Sequence, residues 1–323
     1  METLKPAPDC WIVTDGKIGL DNQCLGLAEA LGVQPAIKHV SMRSPWRLMF
    51  PIVRYLHPHA FRPGDALAPP WPDLLITGGR SGAAVSLFVK KASGGKTITV
   101  HIQNPHIPPG RFDLLVAGEH DGLAEGSHVA VIKGALNRIS NAKMQAAMER
   151  FPGLAALPRP RLAVLLGGAN RCFSFGAAEA ATLAAQLKAL KDGGSGLMIT
   201  SSRRTGEENT HILRQALAGQ NAFFWDGQGE NPYFAMLGYA DHILVTSDSI
   251  SMVSEAATTG KPVHVVQLPG GDRKFNQFHQ AMREAGMTRP FDGRLDEWRY
   301  PAFQETLHIA GLVKILLDRK LSR

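Results

Sequence analysis

Short apolar runs bounded by glycine recur along the chain and alternate with alanine-rich stretches of helical spacing. In the first half the runs fall at residues 10–14, 36–40, 73–77, 97–102, 113–117 and 128–132. In the second they fall at 161–166, 196–201, 222–225, 242–246 and 263–268. Runs this short, apolar on both faces, predict strands buried in a parallel sheet with helices on either side. The alternation occurs twice, which predicts an α/β protein of two doubly wound, Rossmann-like domains. A linker is expected at residues 151–161 (FPGLAALPRPR), where three prolines and a glycine precede a new strand. The expected domains are therefore 1–152 and 160–300, followed by a tail, 301–323, of helical spacing, whose docking on the first domain the sequence leaves open. Ligands in such sheets sit at the carboxyl ends of strands, so the expected site is a cleft lined by the glycine-rich edges of both domains.

Composition narrows the class. The 323 residues are 44% hydrophobic and 20% charged, enough for two ordinary cores. The three cysteines form no C-x-x-C pair and suit a reducing compartment. The N-terminus has no signal-peptide pattern, and no apolar run reaches the ~18 residues that span a bilayer. A cytoplasmic protein is expected. The formal charge of +7 favours anionic partners. No nucleic-acid module is present, so nucleotides, other phosphates and membrane surface rank ahead of DNA or RNA. Residues 42–57 mix Arg43, Arg47 and Arg54 with Trp46, Leu48, Met49, Phe50, Ile52, Val53 and Tyr55. That mixture fits a peripheral membrane contact, and it equally fits a helix packed on its own domain. Nothing in the sequence bears on the oligomeric state.

Several enzyme classes fail. Neither half carries G-x-G-x-x-G after its first strand, as a dinucleotide site needs. None of Tyr55, Tyr233, Tyr239 and Tyr300 has a lysine four places on, which removes tyrosine-dependent epimerases. Gly94-Gly95-Lys96-Thr97 resembles the end of a P-loop, but Lys90 stands where its first glycine should be. No H-E-x-x-H or D-x-D occurs, so neither a metal site nor a cofactor is indicated.

The most informative segment runs from Asn231 to Ala256. A strand ends at Thr246, and Ser247, Asp248, Ser249, Ser251 and Met252 open a helix whose free N–H groups favour phosphate. Glu255 lies in its second turn, within reach of two ribose hydroxyls; a solvated glutamate on a capped helix fits the same spacing. Ser202, Arg203, Arg204 and Thr205 end another strand, where paired arginines can grip a diphosphate or merely decorate a loop. Gly168 and Asn170, in Gly167–Asn170, allow close backbone approach to an anion, as would any tight strand–helix turn.

In the first half Asp15 and Lys17 lie between the first strand and helix, and Gly79, Arg80 and Ser81 follow a later strand. Asp15 is the positional candidate for a general base with Lys17 as an anion contact, while His101 and His106 are rivals that titrate nearer neutrality. The alternatives are a helix-capping aspartate and a histidine satisfied within its strand.

The ordered segments TDGKIGLDNQ, TGGRSG, HIQNPH, LLGGAN, TSSRRT and TSDSISMVSEA resemble those of the plant mitochondrial-fission (elongated-mitochondria) family and its bacterial homologues, across residues 11–289. The last is also similar to the donor-binding region of GT-B glycosyltransferases. That similarity implies a GT-B-like fold, ribose on Glu255, phosphates on Ser249 and Ser251, and diphosphate on Arg203 and Arg204. The expected activity is metal-independent glycosyl transfer from a nucleoside-diphosphate sugar to an acceptor that can be membrane-associated. A non-catalytic membrane-recruitment factor and a non-hydrolysing nucleotide-sugar epimerase are the alternatives.

Overall fold

The computed structural model describes residues 8–44, 46, 60–62, 66–225, 227–301 and 303–321. Arg47, Arg54 and the apolar positions 48–55 of the membrane-contact candidate lie outside the described residues. The chain divides into two compact units, Met1–Arg138 with Gln304–Arg323, and Ile139–Phe303.

The first unit runs β1 (Cys10–Thr14), α1 (Ile18–Leu31), β2 (Pro35–His39), β3 (Leu74–Gly78), α2 (Gly79–Ala92), β4 (Ile98–Ile102), β5 (Leu114–Gly118) and β6 (Val129–Ile132). Its strands form one sheet in the order β2-β1-β3-β4-β5-β6, every pair parallel. Alternate residues serve opposite faces, as the two-residue period of a strand requires. Cys10 and Ile12 pack with Cys24 and Leu27 of α1, whereas Trp11 and Val13 pack with Ala83, Val85 and Val89 of α2. The C-terminal helix α9 (Glu305–Leu321) completes the first of these cores with Ile309, Val313 and Leu317. Glu305 Oε1 accepts from the Lys133 amide at 3.2 Å, and Thr306 Oγ1 from the Asn137 amide at 3.0 Å, anchoring the helix start.

The second unit begins with α3 (Asn141–Arg150). It continues β7 (Arg161–Leu166), α4 (Ala177–Asp192), β8 (Gly196–Ser201), α5 (Glu207–Leu217), β9 (Ala222–Phe224), α6 (Tyr233–Tyr239), β10 (His242–Thr246), α7 (Ile250–Thr258), β11 (Val263–Val266), α8 (Arg273–Glu284) and β12 (Thr288–Pro290). The parallel order is β12-β11-β10-β7-β8-β9. Strand order reverses between β7 and β10 here and between β1 and β3 in the first unit. Those are the switch points where open parallel sheets leave a crevice.

Three features differ from the expected layout. The proline-rich stretch 151–161 lies inside the second unit, because Met144 and Ala147 of α3 bury against Ala235, Met236 and Leu237 of α6. Its proline-rich part forms a short helical turn, Pro152–Ala156, and the Arg161 amide then donates to Asp241 at 2.8 Å. Strand β12 was not anticipated: three residues, one a proline, suffice only at a sheet edge. The strand expected at 263–268 stops at Val266.

Candidate functional site

Residues predicted from separate segments meet at the β7–β10 switch point. Asp248, immediately beyond β10, has a side chain 0% exposed. It accepts from the Gly168 amide at 3.0 Å, Thr246 Oγ1 at 2.6 Å and Arg204 Nη2 at 2.7 Å. A buried carboxylate is tolerated only when so paired, and this one ties the ends of β7, β8 and β10 together. Gly167 is obligatory beside it, since a Cβ there would lie 2.2 Å from Asp248 Oδ1. Ser202 Oγ and Thr205 Oγ1 both donate to the Gly167 carbonyl, at 3.1 and 2.5 Å. Asn170 Oδ1 accepts from the Cys172 and Phe173 amides, and its Nδ2 donates to the Asp248 carbonyl at 3.3 Å. Ser247 is buried, its hydroxyl accepting from the Leu268 amide and its carbonyl from His279 Nε2 at 2.7 Å. Burial lowers the His279 pKa and keeps that ring neutral.

This corrects part of the expectation. Asn170, Ser202, Thr205, Ser247 and Asp248 build the loops: Thr205, Ser247 and Asp248 are buried, and the side chains of all five are engaged within the protein. Arg204 belongs partly to the same framework. Arg203 is exposed and makes no hydrogen bond or ion pair among the described residues. Ser249 caps α7, accepting from the Met252 amide at 3.3 Å, and Ser251 and Met252 lie on the first turn of that helix. Glu255, one turn on, is held through Oε2 by the Tyr233 hydroxyl at 2.5 Å. Burial raises its pKa and the Tyr233 hydrogen bond opposes the rise, leaving it at about 7. Tyr233 was not predicted. Its pairing joins α6 to α7 across 22 residues, a separation that no local spacing encodes.

At the β1–β3 switch point the polar groups are more open. Asp15 pairs with Lys17 at 2.5 Å, Lys17 being 76% exposed. Asp15 Oδ1 is buried without a hydrogen-bond partner, and the carboxyl lies 3.9 Å from the Cβ position of Gly79, which opens α2 with φ +70°. Arg80 is exposed and Ser81 half-buried on the first turn of that helix. Sequence reading missed a relay beside them: the Thr14 hydroxyl donates to Asp21 Oδ1, and Asp21 Oδ2 meets His39 Nε2 at 3.2 Å. Parallel register sets Thr14 opposite His39, and an aspartate holding an exposed imidazole can orient it for proton transfer.

His101 is not part of this arrangement. It is 0% exposed, hydrogen-bonded to Thr77 Oγ1 at 2.8 Å and stacked on Phe112 with 4.9 Å between ring centroids. Desolvation lowers its pKa to about 3, so it is a neutral core residue. His106 is exposed in a turn closed by Asn104, with φ 58°. Among the described residues no group of three or more His, Cys, Asp or Glu side chains is arranged to hold a metal ion. Among them, too, no helix is long and apolar enough to cross a membrane.

The sequence pattern of the mitochondrial fission ELM1 family matches residues 18–317. The chain belongs to that family. The Mitochondrial fission protein ELM1 of Arabidopsis thaliana is 28% identical over 271 residues, covering 75% of this chain and 63% of that protein, so the match spans less than two thirds of the plant relative. A Rickettsia prowazekii protein is also 28% identical, over 95% of this chain and 98% of its own length. In three dimensions the chain is similar to the UDP-GlcNAc 2-epimerase of Methanocaldococcus jannaschii solved with UDP-GlcNAc and UDP. The TM-score is 0.51 at 12% identity, over 95% of this chain and 99% of that one. The fold is that of two Rossmann-like domains of the GT-B-like class.

Proposed function

We propose that the second unit binds the diphosphate and ribose of a nucleoside-diphosphate sugar, and that the protein is a nucleotide-sugar-dependent glycosyltransferase. One observation carries the reading: the buried Asp248 network fixes the loops at the β7–β10 switch point, beside the N-terminus of α7 and Arg203, which is unpaired among the described residues. Amide groups at a helix start and a free guanidinium suit a diphosphate, and they would stabilise it as a leaving group without calling for a metal. Glu255 offers its remaining oxygen to ribose. In the first unit the base would be Asp15 or, on the geometry of the Thr14–Asp21–His39 relay, His39, with Lys17 and Arg80 as anion contacts.

Calorimetric titration with UDP-, GDP-, ADP- and CMP-sugars tests this. At least one should bind, and Glu255→Ala should weaken it at least tenfold; no binding by any of them sinks the reading. Product formed from a sugar nucleotide without acceptor would redirect it to epimerisation. Family membership also supports a second reading, a non-catalytic recruitment factor acting at a membrane. It expects cellular activity to survive Asp15→Ala and His39→Ala together.

A further inference from the structure

The Tyr233–Glu255 pair is a part-buried polar contact between α6 and α7. It is not their sole tie, because Met236 of α6 and Val253 and Ala256 of α7 belong to one buried apolar cluster. Glu255 Oε1 accepts no bond among the described residues, while Oε2 is taken up by the phenol. Among the described residues, Tyr233 is the titratable group that bears on Glu255, and Glu255 the one that bears on Tyr233.

Resting on the nucleotide-binding reading above, we propose that Tyr233 is a positioning residue of the ribose subsite: its hydroxyl fixes Oε2 of Glu255 so that Oε1 alone is presented to the hydroxyls of a ribonucleotide. The phenol does two things there. It sets the rotamer of the carboxylate, and by donating a hydrogen bond it favours the ionised form that a ribose hydroxyl needs as an acceptor. Burial works the other way, and the balance leaves the carboxyl at about 7. Ribose recognition should therefore strengthen as pH rises through about 7, where the proton leaves Glu255. Removing the phenolic oxygen removes the group that lowers this pKa, so the same rise should occur at higher pH. A nucleotide without ribose hydroxyls should show neither effect.

The test measures, by calorimetry from pH 5.5 to 9, the affinity of UDP, GDP, ADP and CDP for the wild-type protein, Tyr233→Phe, Glu255→Gln and the double variant. The 2′,3′-dideoxy form of the best binder is run in parallel. The expected result is a wild-type midpoint near neutrality, an upward shift of about one pH unit in Tyr233→Phe with at least threefold weaker binding at pH 7, and a smaller deficit at pH 9, where only the loss of orientation remains. In Glu255→Gln only the pH dependence of the nucleotide's terminal phosphate, which ionises at about pH 6, should remain, and adding Tyr233→Phe should change nothing further. Binding of the dideoxynucleotide should show that same phosphate dependence alone and be indifferent to Tyr233→Phe. Absence of binding by the wild type at every pH overturns the nucleotide-binding reading itself. Ribonucleotide binding whose midpoint is the same in Tyr233→Phe overturns the inference alone. So does a loss in Tyr233→Phe that is equal at all pH values or persists in the Glu255→Gln background, since either would mark plain packing.

Discussion

The two switch points are built from the same topology and finished in opposite ways. At β7–β10 the polar side chains face inward: Asp248, Thr205 and Ser247 are buried, and they satisfy one another and the loop amides. What stays open is backbone at a helix start, one unpaired arginine and one oxygen of Glu255. At β1–β3 the side chains stay accessible: Lys17 is mostly exposed, and His39, paired with Asp21, is exposed as well. A rigid frame that offers few groups suits binding of one fixed ligand. Exposed, titratable groups beside a strand end suit proton transfer or an exchangeable second substrate. The difference teaches that shared strand–loop–helix geometry sets where a ligand goes, while the burial of the loop side chains decides how rigidly it is met.

That contrast can be broken experimentally. The largest effect is expected from Asp248→Ala, which strands the Gly168 amide and Thr246 and frees Arg204. It should cost about 3 kcal/mol in urea unfolding, because buried donors lose their acceptor. A loss below about 1 kcal/mol would mean that the frame is not held from within. Next comes acid sensitivity of the first-unit core. His101 is neutral in the folded protein with a pKa near 3, against about 6.5 unfolded. Its contribution is present above the unfolded value and is lost as pH falls from there towards 3. At pH 5 the loss should be about 2 kcal/mol, and His101→Leu should flatten the slope between pH 6.5 and pH 4. Arg203→Ala should leave stability within about 0.5 kcal/mol yet weaken nucleotide binding about tenfold. Arg204→Ala, by contrast, should lose both, and identical behaviour of the two variants would erase the distinction drawn between them. The smallest effect is expected from Lys17→Ala, an exposed pair whose removal should change stability by less than about 0.5 kcal/mol.

Much of the fold was legible because buried parallel strands carry a strong signal. CWIVT, RLAVLL and HILVT are apolar on both faces, and each is a strand with the expected limits. Edge elements were less legible. Thr288–Pro290 lacks that pattern, since an edge strand needs partners on one side only. The candidate loops were located correctly as strand ends, but the use of their side chains was not. Thr205 and Ser247 look as available in sequence as Arg203. Only the packing shows that the first two are spent on backbone partners within the protein. His101 was drawn in as a base because a histidine titrates nearer neutrality; its position inside β4, stacked on Phe112, makes it a core residue. Tyr233 and His39 escaped because their partners arrive from other elements.

By itself, the sequence determined the number and kind of the layers, the strand ends and the loops that follow them, the capped start of α7 and the family. These follow from periodicity, capping and local turn chemistry, which act over a few residues. Tertiary structure alone decided which polar groups face one another. It paired Tyr233 with Glu255, Arg204 with Asp248 and Asp21 with His39, and it sent α9 back to α1. Those outcomes depend on strand order and helix packing, which bring together residues that no local rule connects. For Glu255 and His101 they also set the charge, because burial is a property of the whole fold.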